Sequence, residues 1–515
     1  MIFLKESIKS LKLVKKTTIF YSLLSITTIV FLMSFFRKDS DNVPYIHYLT
    51  LFSFIFLSGI INSKKSSIII YILLLIYVSI EYTTERMTGF YFHEIPYEII
   101  SIIYDTNINE IKEGASFSTK EKQAVFLIIS YLTLLFFIRK NHDNKKVIAV
   151  QLSIFILFFI ITNNTIARTI NTIKDNKSLI SNTLDIIKER QDFSWKATSA
   201  STEKQTVILF LGETNRGDYL SLNGYEKNTT PSLIKENIIS FSDAISQAAY
   251  TLQSTPMILS RKKVDDYGIF NEKSVISAFK EAGFETWYVS YLSPTLIGDN
   301  EINLIANEAD HYIQSDVKNE TLSEILNNPS RKKLIVYKTI GSHFLYHNRY
   351  PEDYDIFKPS FTDADYKAPT VKDLEKLKNS YLNSTLYSVD KNISDFINVL
   401  KNEDGLVSLS FISDHGTSIY DDGKSLYGGN TKGNYNIALF FWFNDRYINA
   451  YKNDIEILKS NSHKKVTSEY FLDTMLHIGK INTEKNKNKS LFELDLKEEK
   501  RLIKNKNIYD YDRDL

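Results

Sequence analysis

Apolar residues follow two patterns along this chain, and the change comes near residue 166. Before it, five long apolar runs stand out, at residues 17–36, 45–61, 66–82, 124–138 and 147–166. Each approaches the roughly 20 residues that carry an α-helix across a bilayer core. The second, third and fourth are short enough for buried core helices, but five in succession between polar loops favour spans. Lys5, Lys9, Lys12, Lys15 and Lys16 precede the first run, Lys64 and Lys65 follow the second, and Arg139, Lys140, Lys145 and Lys146 follow the fourth. If all five runs span, these basic stretches share one side, and basic loops stay cytoplasmic. An odd number of spans then exports everything after residue 166. The first run is long, lacks a small-x-small cleavage site and is followed by Arg37 and Lys38, so it reads as a retained span rather than a leader. Residues 83–123 form a long external connection. In residues 168–204, Leu179, Leu184, Ile187, Phe193 and Trp195 lie among basic residues, a pattern for a helix on the membrane surface or a solvated linker.

Beyond residue 205 the pattern changes to short, continuous apolar runs rich in β-branched residues, at 206–211, 286–291, 333–340, 406–412 and 437–443. Helical patterns lie between them, at 273–282 and at 371–401, where Leu374, Leu377, Tyr381 and Leu382 recur. Such alternation predicts an α/β domain around a mainly parallel sheet covered on both faces. The expected organisation is therefore a five-span α-helical membrane domain at 1–166, an interfacial linker at 167–204 and a soluble domain at 205–515.

Composition narrows the chemistry. The 62 basic residues balance 61 acidic ones for a formal charge of +1, which argues against nucleic acid as a partner. Cysteine is absent, so disulfides, cysteine zinc sites and thiol nucleophiles are excluded.

Open α/β sheets bind ligands at the carboxyl ends of their strands. Here the first run ends in Gly212-Glu213-Thr214, the third in Gly341-Ser342-His343 and the fourth in Ser413-Asp414-His415-Gly416. A carboxylate, an imidazole and an Asp-His pair thus converge on one sheet edge. A metal there would take oxygen and nitrogen ligands, which suits zinc or manganese.

Gly212-Glu213-Thr214-Asn215-Arg216, followed by Ser221-Leu222-Asn223-Gly224-Tyr225 and Thr229-Thr230-Pro231, resembles the signature of bacterial phosphoethanolamine transferases of the alkaline phosphatase and sulfatase superfamily. Ser413-Asp414-His415-Gly416, and Gly341-Ser342-His343 with Arg349-Tyr350-Pro351, resemble the family's later motifs. The likeness implies a zinc ion (Zn2+) held by Glu213, Thr251, Asp414 and His415, with Thr251 as nucleophile. Ser254 and Thr255 are alternatives to Thr251, which also suits an N-cap for a helix starting near Leu252. His343 would act near the head group with His347 and Arg349 beside it, and Thr106 and Glu110 would touch substrate at the membrane; an exposed helical turn is the alternative for that last pair. The implied reaction moves phosphoethanolamine from phosphatidylethanolamine to lipopolysaccharide, at a lipid A phosphate or a core heptose. A monomeric enzyme in the inner membrane, its catalytic domain in the periplasm, would carry it out.

Some positions depart from that pattern. Thr417 follows Gly416 where lipid A modifiers carry Glu, and Tyr427 stands in Leu426-Tyr427-Gly428 where they carry a second His. The Tyr250-Thr251 pair and the short step from His343 to Arg349 look more like the core-heptose branch. Two other readings stay open: a polyglycerolphosphate synthase using phosphatidylglycerol, and a non-catalytic membrane scaffold that keeps the fold.

Overall fold

The structure, a computed structural model, describes residue 186 and residues 188–515 apart from 267, 292–300, 363–370, 424–425, 427–430, 485–488 and 506. These residues belong to one of the chain's two compact units. The five expected spans, Thr106, Glu110 and Tyr427 lie outside the described residues. No helix among the described residues is long and apolar enough to cross a membrane.

The domain is organised by a seven-stranded sheet: β1 (Gln205–Gly212), β2 (Ile239–Ser240), β3 (Glu285–Ser290), β4 (His311–Gln314), β5 (Lys332–Lys338), β6 (Leu406–Ser413) and β7 (Leu439–Phe443). Their order across the sheet is β2-β7-β6-β1-β5-β3-β4. From β6 to β4 every pairing is parallel. Side chains alternate along β1, so Val207, Leu209 and Leu211 enter one core while Ile208 and Phe210 enter the other. The first core is closed by α1 (Thr251–Leu259), α2 (Val275–Glu281) and α5 (Phe471–Ile478), the second by α4 (Asn392–Leu400). Burial on both faces explains why the strands read as unbroken apolar runs.

The sheet is mixed rather than parallel throughout. The run expected at 437–443 starts at Leu439, and it pairs antiparallel with β6 and with β2. The chain leaves β6 at its carboxyl end and returns to that same end, where Ala438 O accepts from Ser413 N at 2.9 Å, so the next strand must run back down. The helical pattern at 371–401 resolves into α3 (Leu374–Thr385), a π-helical stretch at Leu386–Lys391, and α4. Ser274 caps α2 by accepting from Ile276 N.

The folded domain begins earlier than residue 205. Trp195, read from sequence as an interfacial residue, is 1% exposed and donates from Nε1 to Ser274 O at 3.1 Å. Phe193 packs edge-on against it, and the buried Arg190 pairs with Glu308. A large indole among basic residues has the composition of a membrane anchor, but here its apolar face is taken by the domain's own core.

Candidate active site

The site forms where β1, β5 and β6 end. The register sets Leu211 beside Lys338 and Gly212 beside Ser413, so Glu213 and Asp414 leave neighbouring strands at the same level. Gly212 is required there, because a Cβ would come within 2.5 Å of the Phe411 ring. Thr214 follows at φ +61°, a left-handed conformation that is costly for a β-branched residue. Local bonds hold it: Thr214 N donates to Asp414 Oδ1 at 3.1 Å, Thr214 Oγ1 to Glu213 Oε1 at 2.7 Å, and Tyr381 Oη to Thr214 O at 2.8 Å. From the other side Gly341, at φ +46°, lies against the Glu213 backbone, and a Cβ on it would meet Glu213 O at 2.5 Å.

Thr251 opens α1. The cap position is held by Tyr250, so Thr251 is the first helical residue and not the N-cap expected for it. Its Oγ1 lies 3.2 Å from Glu213 Oε2 and 3.2 Å from His415 Nε2. His415 Nε2 is also 3.3 Å from Glu213 Oε1 and 3.8 Å from Asp414 Oδ2. Ligands around a tetrahedral zinc, with bonds of about 2.0 Å, stand about 3.3 Å apart, and these four separations of 3.2–3.8 Å approach that spacing. One ligand atom from each of Glu213, Asp414 and His415 lies within 4.8 Å of the others. His415 Nδ1 donates to Gly416 O at 2.7 Å, which orients the ring with Nε2 toward the cluster. The donor set therefore fits a zinc ion. Of the three candidate hydroxyls, that of Thr251 is the one brought against Glu213 and His415; Ser254 and Thr255 are fully buried further along α1, and Ser254 Oγ donates to Thr251 O at 3.5 Å.

The site draws positive charge. Glu213 is 2% exposed and Asp414 0%. Burial works to raise the Glu213 carboxyl, but Lys338, His415 and His343 together hold it well below the carboxylate range. Burial and the charge of Glu213 push Asp414 up. Burial would lower the His415 imidazole, yet Asp414 and Glu213 raise it to about 9. Lys338 was not legible as a site residue in the sequence. Its Nζ donates to Glu213 Oε2 at 2.7 Å and to Asp414 Oδ2 at 3.0 Å. The one local signal is a lysine ending an apolar strand directly before Thr339-Ile340-Gly341.

His343 is half-buried in the loop after β5, and its buried Nδ1 has no hydrogen-bond partner among the described residues. Arg349 donates from Nε to His343 O at 3.0 Å and from Nη2 to Phe344 O at 2.9 Å, so it shapes the loop that carries His343. Arg216 is buried and bonds Asp218, Asp421 and Thr417 O. Thr229 and Thr230 accept from the backbone of Ser221 and Leu222, and Asn223 donates to Gly217 O. Most of the first long motif thus builds the loop behind Glu213 rather than the cluster itself.

The sulfatase family model matches residues 205–481, more than half of the chain and the whole of the sheet just described. The chain belongs to the sulfatase family. Within that family it resembles bacterial phosphoethanolamine transferases. It is 29% identical over 308 residues to phosphoethanolamine transferase EptA of Salmonella typhimurium, a match covering 54% of each chain. The chain thus spans about half the length of this curated relative. Its fold is that of the C-terminal periplasmic domain of EptC from Escherichia coli, solved as a complex with Zn, at a TM-score of 0.55 and 23% identity over 62% of this chain and 95% of that one. The integral membrane lipooligosaccharide phosphoethanolamine transferase A (EptA) of Neisseria meningitidis shares the fold over 93% of this chain and 96% of its own, at a TM-score of 0.60 and 19% identity.

Proposed function

We propose that this chain is a zinc-dependent transferase that moves phosphoethanolamine from phosphatidylethanolamine to a lipopolysaccharide acceptor, through a phosphothreonine at Thr251. The observation that carries the reading is the Thr251 hydroxyl, 3.2 Å from both Glu213 and His415 at the start of α1. The resemblance to phosphoethanolamine transferases supplies the group transferred.

Glu213, Thr251, Asp414 and His415 would hold the zinc ion. When bound, it supplies Lewis acidity, lowering the pKa of a neighbouring hydroxyl and screening phosphate charge. Thr251 Oγ1 attacks phosphorus, the hydroxyl gives up its proton, and the bond from phosphorus to the diacylglycerol oxygen breaks with that oxygen taking a proton. Opening a helix, Thr251 stands among backbone N–H groups that favour an anion. His343, whose imidazole lies near Glu213, contacts the phosphate or carries a proton, and Arg349 keeps its loop in place. An acceptor phosphate or sugar hydroxyl then attacks the same phosphorus from the opposite side and frees Thr251.

A two-chain lipid donor leaves a bilayer only at high cost, about 0.8 kcal/mol for each methylene exposed. The chemistry therefore belongs at a membrane surface, in keeping with a membrane domain at 1–166, a linker at 167–204 and a catalytic domain in the periplasm. Thr106 and Glu110, in the expected external loop, would meet the substrate there.

The reading is tested by incubating the full chain with phosphatidylethanolamine and no acceptor, then mapping the adduct by mass spectrometry. A phosphoethanolamine on the peptide bearing Thr251 is expected. An adduct on Ser254 or Thr255, or none on a zinc-loaded chain, would sink it.

A further inference from the structure

Lys338 ends β5 with its ammonium between two buried carboxylates and is itself 5% exposed. An ammonium has no lone pair, so Lys338 cannot belong to the ligand set. Its contacts are nonetheless selective. It takes Oε2 of Glu213 and Oδ2 of Asp414, while Glu213 Oε1 accepts from Thr214 and Asp414 Oδ1 accepts from Thr214 N and His415 N. Every oxygen of the two carboxylates is thereby oriented. Lys338 is also placed rigidly, since its backbone pairs in register with Leu211 on one side and Ser290 on the other.

We propose that Lys338 is a positioning residue, a resident counter-cation that holds Glu213 and Asp414 ready for a divalent metal and, by its charge, moderates how tightly the metal binds. The inference rests on the reading that these two carboxylates ligate a metal. Two carboxylates buried side by side repel each other, and the Lys338 ammonium bonds both, at 2.7 and 3.0 Å. The ammonium offsets that repulsion and holds both side chains in place. It also sets the charge of the loaded site. With His415 neutral as a ligand and Thr251 still carrying its proton, the two carboxylates and the ammonium sum to one negative charge; a divalent ion brings the total to one positive charge. That complements the single negative charge of a phosphodiester, whereas the same site without Lys338 would be neutral when loaded.

The charge of Lys338 fixes a sign that a merely structural role would not. A cation held against the ligands repels an incoming dication, so its removal must tighten metal binding even as the metal-free protein loses stability. A side chain that only shapes the site would loosen binding when removed.

The test uses the full chain, stripped with a chelator and titrated with zinc against a competing zinc indicator. Wild type, Lys338→Met and Lys338→Gln are compared, and thermal unfolding is followed with and without zinc. Both variants are expected to bind zinc about tenfold tighter or more, to melt below wild type without metal, and to recover most of that loss with zinc. Unchanged or weaker binding in both variants overturns the counter-cation role and leaves the metal reading intact. Variants that stay unfolded even with zinc also overturn it, because the metal would then be unable to replace the ammonium. A wild type that binds no zinc overturns the metal reading first, and this inference with it.

Discussion

A threonine hydroxyl is almost wholly protonated at neutral pH, so the capacity of Thr251 as a nucleophile depends on what surrounds it. Its neighbours are Glu213 and His415, each 3.2 Å from Oγ1. The cap of α1 belongs to Tyr250, which has no side-chain cap bond, so Thr251 is separable from helix stability. Thr251→Ala is therefore expected to lose transfer while unfolding within about 1 kcal/mol of wild type. Thr251→Ser keeps a hydroxyl at the same point and is expected to retain partial turnover. Paired measurements of headgroup transfer and urea unfolding check both; a Thr251→Ala chain that still turns over would place the nucleophile elsewhere. Glu213, Asp414 and His415 were legible in the sequence because they follow short apolar runs that predicted strands ending at one sheet edge. Lys338 was not, because its role arises from register: it meets Glu213 and Asp414 only once β5 lies against β1 and β6 follows on the other side. A lysine at the end of an apolar run otherwise reads as the point where a strand returns to solvent.

At the scale of elements, the site depends on a helix that contributes no ligand. Tyr381 projects from α3, donates to Thr214 O and accepts from Arg216 N at 2.8 Å, so one buried hydroxyl ties α3 to the loop that carries Glu213. Burial pushes its phenol well above the ordinary range, so it serves as a neutral hydrogen-bonding group. Tyr381→Phe leaves the Arg216 N–H and a strained Thr214 carbonyl without their partner, and should cost about 1–3 kcal/mol. Chemical denaturation measures it, and an unchanged midpoint would show that the loop keeps its shape without α3. The sequence carried Tyr381 only as one more apolar position in a helical period. Strands were legible where burial on both faces made them continuous, and illegible where it did not. β4 has exposed residues at both ends and offered no apolar run, while the direction of β7 depends on a return loop that no periodicity encodes.

At the scale of the whole molecule, the described domain follows a stretch that hydropathy and charge predict to be a membrane half. The N-terminal part of the domain is built from residues that looked like a membrane anchor: Trp195 is buried, Arg261 stacks over its ring, and Thr198–Ser199 pairs antiparallel with Ile481–Asn482. Residues from Arg190 onward are thus committed to the domain, within the stretch at 167–204 that the sequence reads as a linker. Under the proposed function the side of the membrane is decisive, since a lipid donor and its acceptor must both be reached from there. Basic residues before the first run, after the second and after the fourth set the expected orientation. A reporter that is active only in the periplasm should therefore be active when fused after Leu515, and a cytoplasm-only reporter at the same point should be silent. The measurement is independent of catalysis, so it holds for Thr251→Ala as for wild type. The reverse pattern would put the domain beside the wrong leaflet, and the proposed lipopolysaccharide acceptor would fall while the zinc cluster and its nucleophile stood.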